Sequence, residues 1–190
     1  LPTREVTLRD CAITLRPLQA SDAPALGAYF LSLSDRTREV YGPHPFTQAM
    51  ADEICAHLAS PAGQQYLRLL ALHGSQVLGY FIVYLGLHGG DRQRRYQELD
   101  PALTCTLAPS VADAWQNGGL GSHLMSYAKD CARHFGKTTM VLWSGVRADN
   151  PRAIHFYTKH GFTRHGDFTS QAKVHGIPQT INNHDMSVVL

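Results

Sequence analysis

Gln116, Asn117, Gly118, Gly119, Leu120 and Gly121 set three glycines between an apolar run and an amphipathic one. Upstream, residues 103–111 are apolar enough for a mostly buried strand. Downstream, Leu120, Leu124, Ala128, Cys131 and Phe135 recur at helical spacing, with Ser122, His123, Lys129, Asp130 and Arg133 on the other face. A glycine turn feeding a helix start leaves backbone N–H groups unpaired and converging, and the helix dipole adds to their pull. The chemistry is anion binding, suited to phosphate, and the Ser122 hydroxyl offers a further contact. A second group follows at Asn150, Ala153, Tyr157, Gly161 and Phe162. Asn150 before Pro151 reads locally as a helix cap and first turn, and Tyr157 as an aromatic residue two turns in.

The elements that must position these residues follow from spacing and turn chemistry. Residues 6–8 and 12–16 read as two short strands around a turn at Arg9, Asp10 and Cys11. Ser21 and Asp22 offer a cap for a helix over 23–33, and Thr47 one for a helix carrying Met50, Ile54, Cys55 and Leu58. Strands over 66–73 and 76–87 flank the hairpin signal Gly74-Ser75. Residues 41–46 and 88–95 read as loops, 139–144 as a strand, 151–160 as a helix, and 162–168 and 185–190 as closing strands. This order predicts an α/β (α+β) fold: one mixed, mostly antiparallel sheet of about seven strands flanked by helices. A single domain over 1–190 is expected, with N-terminal strands (1–17), acceptor-side helices (18–65), a cofactor-binding core (66–162) and closing strands (163–190).

Composition sets limits. Hydrophobic residues make up 44% and charged residues 17% of the 190-residue chain, as in ordinary globular proteins. A formal charge of +2 argues against a dedicated nucleic-acid binder. No apolar run approaches the roughly 20 residues that span a bilayer, so no membrane partner is expected. Cys11, Cys55, Cys105 and Cys131 are scattered, and the eleven histidines form no HxH or HExxH pair. No metal is expected, and the cysteines read as reduced thiols in a cytoplasmic protein.

Three phosphate-binding patterns compete for the glycine turn. A P-loop requires a lysine after its glycines, and none stands here. A dinucleotide fingerprint requires a third glycine and a repeating βαβ order, and both are missing. The remaining pattern resembles the GNAT superfamily of acyl-CoA N-acyltransferases. Its Arg/Gln-x-x-Gly-x-Gly/Ala motif matches Gln116, Gly119 and Gly121. Its Asn-x-x-Ala-x-x-x-Tyr-x-x-x-Gly-Phe motif matches Asn150, Ala153, Tyr157, Gly161 and Phe162. Residues 13–22 also resemble the family's opening strand, Arg-Pro and helix start.

The resemblance implies a GNAT fold with splayed central parallel strands and a bulge near Pro109 and Val111. It implies acetyl-CoA as co-substrate, its pyrophosphate on the N–H groups of Asn117, Gly118, Gly119, Leu120 and Gly121, and its pantetheine arm along Val111 and Asn150. Tyr157 would be the general acid that reprotonates the leaving thiolate. The acceptor would be a small-molecule or protein amine attacking the thioester directly, and a homodimer is admissible. The chain departs from the family at Thr104, Cys105, Thr106 and Leu107, where many members place a glutamate. Glu98 or a water relay is then the expected base, and Glu98 and Asp100 are the nearest acids. Residues 41–46 and 88–95 would border the acceptor, where Arg92, Arg94 and Arg95 could meet an acidic group. A non-catalytic acyl-CoA sensor on the same fold is the other reading.

Overall fold

The computed structural model describes residues 1–174 and 176–190. Among the described residues nine strands form where about seven are expected, one of them a two-residue strand over 146–147. The chain divides into two compact units, Leu1–Val83 with Ala108–Cys131, and Tyr84–Leu107 with Ala132–Leu190.

In the first unit, β1 (Arg4–Leu8) and β2 (Cys11–Pro17) pair antiparallel with Leu8 opposite Cys11. The two-residue turn between them needs left-handed backbone twice, and Arg9 and Asp10 have φ of 50° and 60°. Strand β2 pairs β3 (Tyr66–His73), which neighbours β4 (Gln76–Tyr84), and β4 neighbours β5 (Thr104–Val111). Ile13, Leu15, Leu69 and Leu78 are fully buried along these strands.

Helices cover both faces of this sheet. Gly79 and Ala71 face the long helix α5 (Leu120–His134), since a Cβ on Gly79 would stand 2.6 Å from Leu124 Cδ1 and 3.7 Å from the Ala71 Cβ. Within α5, Leu120, Leu124, Met125, Tyr127 and Ala128 are fully buried. Phe135, expected on this apolar face, falls beyond the helix and is 45% exposed. On the opposite face lies α1 (Ala23–Ser32), whose Phe30 meets Tyr80, with α3 (Gln48–Ala56) packed against it; the short α2 (Asp35–Val40) follows α1. Thr47 caps α3 as its sequence indicates, accepting from the Met50 N–H.

The expected Asp22 cap forms differently. Asp22 makes no side-chain cap bond for α1. Its carboxylate accepts two bonds from Arg16, each 2.7 Å, and one from the Gln19 N–H. A bidentate partner outcompetes the weaker helix-end N–H groups.

In the second unit, residues Thr104–Leu107 of β5 pair in parallel with β6 (Thr139–Leu142). Strand β6 pairs β9 (Ile177–Val189), which also carries β7 (Val146–Arg147) and the long strand β8 (Thr163–Val174). Helix α6 (Pro151–Lys159) matches its expected place. Residues 89–94, read as loop, form the short helix α4 (Gly89–Arg94), pinned by a buried Asp91 rather than by helix propensity.

Burial of Asp22 pushes its carboxyl pKa up, but the Arg16 and Gln19 hydrogen bonds and the Arg16 charge outweigh that and hold it below the ordinary range. A depressed folded-state pKa adds stability above the unfolded value of about 3.9, and that stability is lost as pH falls through the folded value. We expect Asp22→Asn to lose about 2 kcal/mol in urea unfolding at pH 7. The gap between the two proteins should begin to narrow only below roughly pH 4. An undiminished gap at pH 3 would show the loss to be steric.

Candidate functional site

The glycine turn is built entirely within the first unit. Strand β5 ends at Val111, and the Gln116 side chain donates back to the Val111 carbonyl at 3.0 Å. That bond folds the intervening residues, including a 3-10 turn over Asp113–Trp115, into a compact corner. Two braces fix the corner. Asp113 accepts from the Ser34 N–H, the Ser34 hydroxyl and the Thr37 hydroxyl. Burial raises the Asp113 pKa, yet these bonds prevail and keep it low, so the carboxylate stays ionised. On the other side Arg9 donates to the Ala114 carbonyl and lies over the Trp115 ring.

Beyond the corner, Asn117 and Gly119 take φ of 58° and 91°. The second value suits glycine, whose missing Cβ leaves this backbone unstrained. The Gly119 carbonyl accepts from the Ser122 and His123 N–H groups and so opens α5. The earlier N–H groups of that end have no intrahelical carbonyl to meet. Asn117 and Gly119 are exposed, Gly118, Gly121 and Ser122 half-buried, and Leu120 is fully buried as the anchor of the turn.

Residues 41–46 also belong to the first unit, against the end of β5. The Tyr41 hydroxyl donates to the Ala108 carbonyl at 3.2 Å, Tyr29 and Ser110 share a 2.8 Å bond, and the Ser110 hydroxyl reaches the Tyr80 carbonyl. Three residues absent from the sequence-derived list stand out in this region. Among the described residues, Arg68 Nε, one terminal Arg68 nitrogen and His44 Nε2 are buried without a hydrogen-bond partner, and the buried Tyr80 hydroxyl lies beside Arg68. The available signal was Arg68 itself, a single cation inside the apolar strand 66–73.

The second unit holds the other motif. Asn150 caps α6, its Oδ1 accepting from the Ala153 N–H at 3.2 Å, with Pro151 at the first position. Tyr157 is 9% exposed, with its ring centroid 5.5 Å from that of Phe156 and 5.4 Å from that of Phe162. Burial pushes its pKa well above the ordinary phenol value, so the group is a neutral proton carrier. Burial likewise pushes the Cys105 thiol up to about 12, which removes it as a nucleophile at neutral pH. Thr106 donates to the Gly86 carbonyl and accepts from the His88 N–H. Glu98 is exposed in a turn after α4.

The arginines of 88–95 part company. Arg94 donates to Asp91 and, through two nitrogens, to Asp185, both carboxylates being fully buried. Its guanidinium carbon lies 3.6 Å from the Phe168 ring centre. Asp91 also accepts from the Ser144 N–H, and Arg95 stands 3.7 Å from Asp185. Arg94 is therefore consumed by structure, while Arg92 is exposed. Among the described residues no group of three or more His, Cys, Asp or Glu side chains gathers to hold a metal, and no helix is long and apolar enough to cross a membrane.

A model of the Acetyltransferase (GNAT) family matches residues 30–162. No curated protein sequence matches the chain. Among solved structures, it is similar to a GNAT acetyltransferase from Streptococcus pneumoniae, at 21% identity over 94% of this chain and 99% of that one, with a TM-score of 0.72. It is also similar to a ribosomal-protein-S5-alanine acetyltransferase from Vibrio fischeri, at 11% identity over 100% and 97%, with a TM-score of 0.76. A putative acetyltransferase from Salmonella typhimurium, solved with acetyl-CoA, gives 20% identity, 94% of each chain and a TM-score of 0.69.

Removing Arg94 would strand two buried carboxylates. Arg94→Ala should cost about 3–5 kcal/mol in chemical denaturation, whereas the exposed Arg92→Ala should stay within about 0.5 kcal/mol of the parent. Equal, small losses would show that the Arg94 contacts with Asp91 and Asp185 do not hold the fold.

Proposed function

Because the chain belongs to the GNAT acetyltransferase family, we propose that it moves an acetyl group from acetyl-CoA to a primary amine by direct attack on the thioester. The family uses acyl-CoA, and the observation that carries the reading here is the Gln116 to Val111 bond, which aims the glycine turn at the end of β5. In this reading Asn117, Gly118, Gly119, Leu120 and Gly121 hold the pyrophosphate with backbone N–H groups, aided by the Ser122 hydroxyl and the α5 dipole. Val111 gives its backbone to the pantetheine arm as a pseudo-strand. Asn150 contributes its amide nitrogen, since Oδ1 is occupied in capping α6. Residues 1–190 act as one acyltransferase domain, and the four free thiols fit a reducing, cytoplasmic setting.

Tyr157 supplies the proton for the leaving thiolate. A buried phenol is a weak donor in isolation, but the same apolar surroundings raise the proton affinity of a thiolate formed beside it. The amine must first be deprotonated. A lysine-like amine with pKa about 10.4 is neutral in only about one part in a few thousand at pH 7, so a base or water chain is needed. The base in this reading is Glu98 or a water relay, and the exposure of Glu98 favours the relay. The acceptor is a small-molecule or protein amine. The absence of a carboxylate among Thr104, Cys105, Thr106 and Leu107 supports a second reading, an acyl-CoA sensor without turnover.

Thiol release from acetyl-CoA with a panel of amines separates these readings. Tight CoA binding with no turnover on any amine would favour the sensor. For the enzyme, Tyr157→Phe should lower kcat by about a hundredfold or more while CoA affinity stays nearly constant; a large loss of affinity would make Tyr157 structural. Glu98→Gln should shift the acidic limb of the pH–rate profile, and an unchanged profile would remove Glu98.

A further inference from the structure

The first unit contains a set of polar groups that its own fold leaves unanswered. Since Ala71 and Gly79 face α5, strand alternation turns Arg68 and Tyr80 toward the other face, where Tyr80 meets Phe30 with ring centres 5.6 Å apart. His44 joins them from the 41–46 segment, 5.0 Å from Phe30 and 5.9 Å from Tyr80 between ring centres. The Arg68 charge acts on both the Tyr80 hydroxyl and the His44 ring, so the three groups are neighbours. Tyr80 is fully buried with its hydroxyl within hydrogen-bonding reach of Arg68, while Arg68 Nε, one terminal Arg68 nitrogen and His44 Nε2 have no partner among the described residues. Among the described residues no carboxylate forms an ion pair with Arg68; its guanidinium lies over the Tyr66 ring at 4.8 Å.

Leaving this many buried polar atoms unmet costs free energy at each one. The pattern of what is missing is specific. Arg68 offers Nε and one terminal nitrogen as donors on different edges of its guanidinium, with Tyr80 beside it, and a carboxylate reaching either donor would make a charge-assisted bond. His44 presents the opposite need. Its Nδ1 bonds the Pro45 carbonyl at 2.8 Å, and a carbonyl can only accept, so Nδ1 carries the hydrogen. Burial lowers the His44 pKa, keeping the ring neutral and its Nε2 an acceptor. Phe30, Phe46 and Tyr41 supply apolar ring surface around these groups, with Tyr41 and Phe46 stacked at 5.7 Å.

We propose that Arg68, Tyr80 and His44 recognise the amine acceptor as a free amino acid with an apolar side chain. Arg68 and the Tyr80 hydroxyl bind its carboxylate, His44 Nε2 accepts a hydrogen bond from its amino group, and the rings of Phe30, Tyr41 and Phe46 receive its side chain. The assignment of these groups to an acceptor rests on the N-acyltransferase reading; the recognition of a carboxylate does not.

The test pairs amino acids with their decarboxylated counterparts, leucine with isopentylamine and phenylalanine with phenethylamine, adding leucine amide and a leucine-initiated dipeptide. Acetyl transfer should favour the free amino acids in kcat/KM by at least about tenfold, the scale of a charge-assisted bond. Arg68→Met should abolish that preference by weakening the amino acids alone, Arg68→Lys should restore part of it, and Tyr80→Phe should reduce it. CoA affinity should not fall, because none of these residues belongs to the glycine turn. Equal turnover of both members of each pair, an unchanged preference in Arg68→Met, or preference for the dipeptide would overturn the proposal. Binding is read separately by saturation-transfer NMR with leucine and phenylalanine. Carboxylate-dependent binding lost in Arg68→Met, with no acylation of any amine, would keep the recognition site and remove the enzyme reading. Turnover of other amines with no binding of either amino acid would do the reverse.

Discussion

The close approach of α5 to β4 constrains much else in the first unit. With a glycine at position 79, Leu124 enters a space that any side chain there would fill, a Cβ standing 2.6 Å from the leucine methyl. That seats the helix directly on the strand, and Leu120, one turn earlier, is fully buried as a result. The N-terminal end of α5 is then fixed in height and direction before any ligand is considered. The residues between β5 and α5 must bridge a set distance, and positive φ at Asn117 and Gly119 is how they do so. An anion site made of backbone N–H groups depends on such rigidity, because the groups cannot be steered one by one.

The bonds around that corner are redundant in a telling way. Asp113 is held by both Ser34 and Thr37, at the junction of α1 and α2, while Arg9 comes from the β1–β2 turn. Strain at Arg9 and Asp10, both with positive φ, is offset by placing the arginine over Trp115 and against the Ala114 carbonyl. Elements distant in sequence thus converge on residues 113–116. The Gln116 to Val111 bond closes the circuit by tying the corner back to the strand it leaves.

Local chemistry explains which parts of this were readable from sequence. Thr47, Asn150-Pro151 and the Arg9-Asp10 turn act through bonds to near neighbours in the chain, so residue type and spacing reveal them. The helix over 120–134 announces itself by a repeated apolar stripe, and the misplaced Phe135 lies just past its end. Helices α2 and α4, six residues each, are too short to show a period. Helix α4 depends on Asp91 meeting Ser144 and Arg94, partners up to 53 positions away, which no local signal encodes. Asp22 shows the same limit from the other side. Its type suited a cap, and a better partner six residues upstream claimed it.

Two arginine centres show why a cation's sequence context does not fix its role. Arg94 stands in a run of charged residues that looks like a solvated loop, yet its fork is filled by Asp91 and Asp185 and its face by Phe168. Its bonding is complete, so it has nothing to offer a ligand. Arg68 stands alone in an apolar strand that looks like pure core, yet two of its nitrogens, with His44 Nε2 nearby, have no partner among the described residues. A fold that spends buried carboxylates on one guanidinium and none on the other has made the second available. Recognition capacity lies where burial and unmet hydrogen bonding coincide, because only there does binding a ligand recover a desolvation cost already incurred in folding.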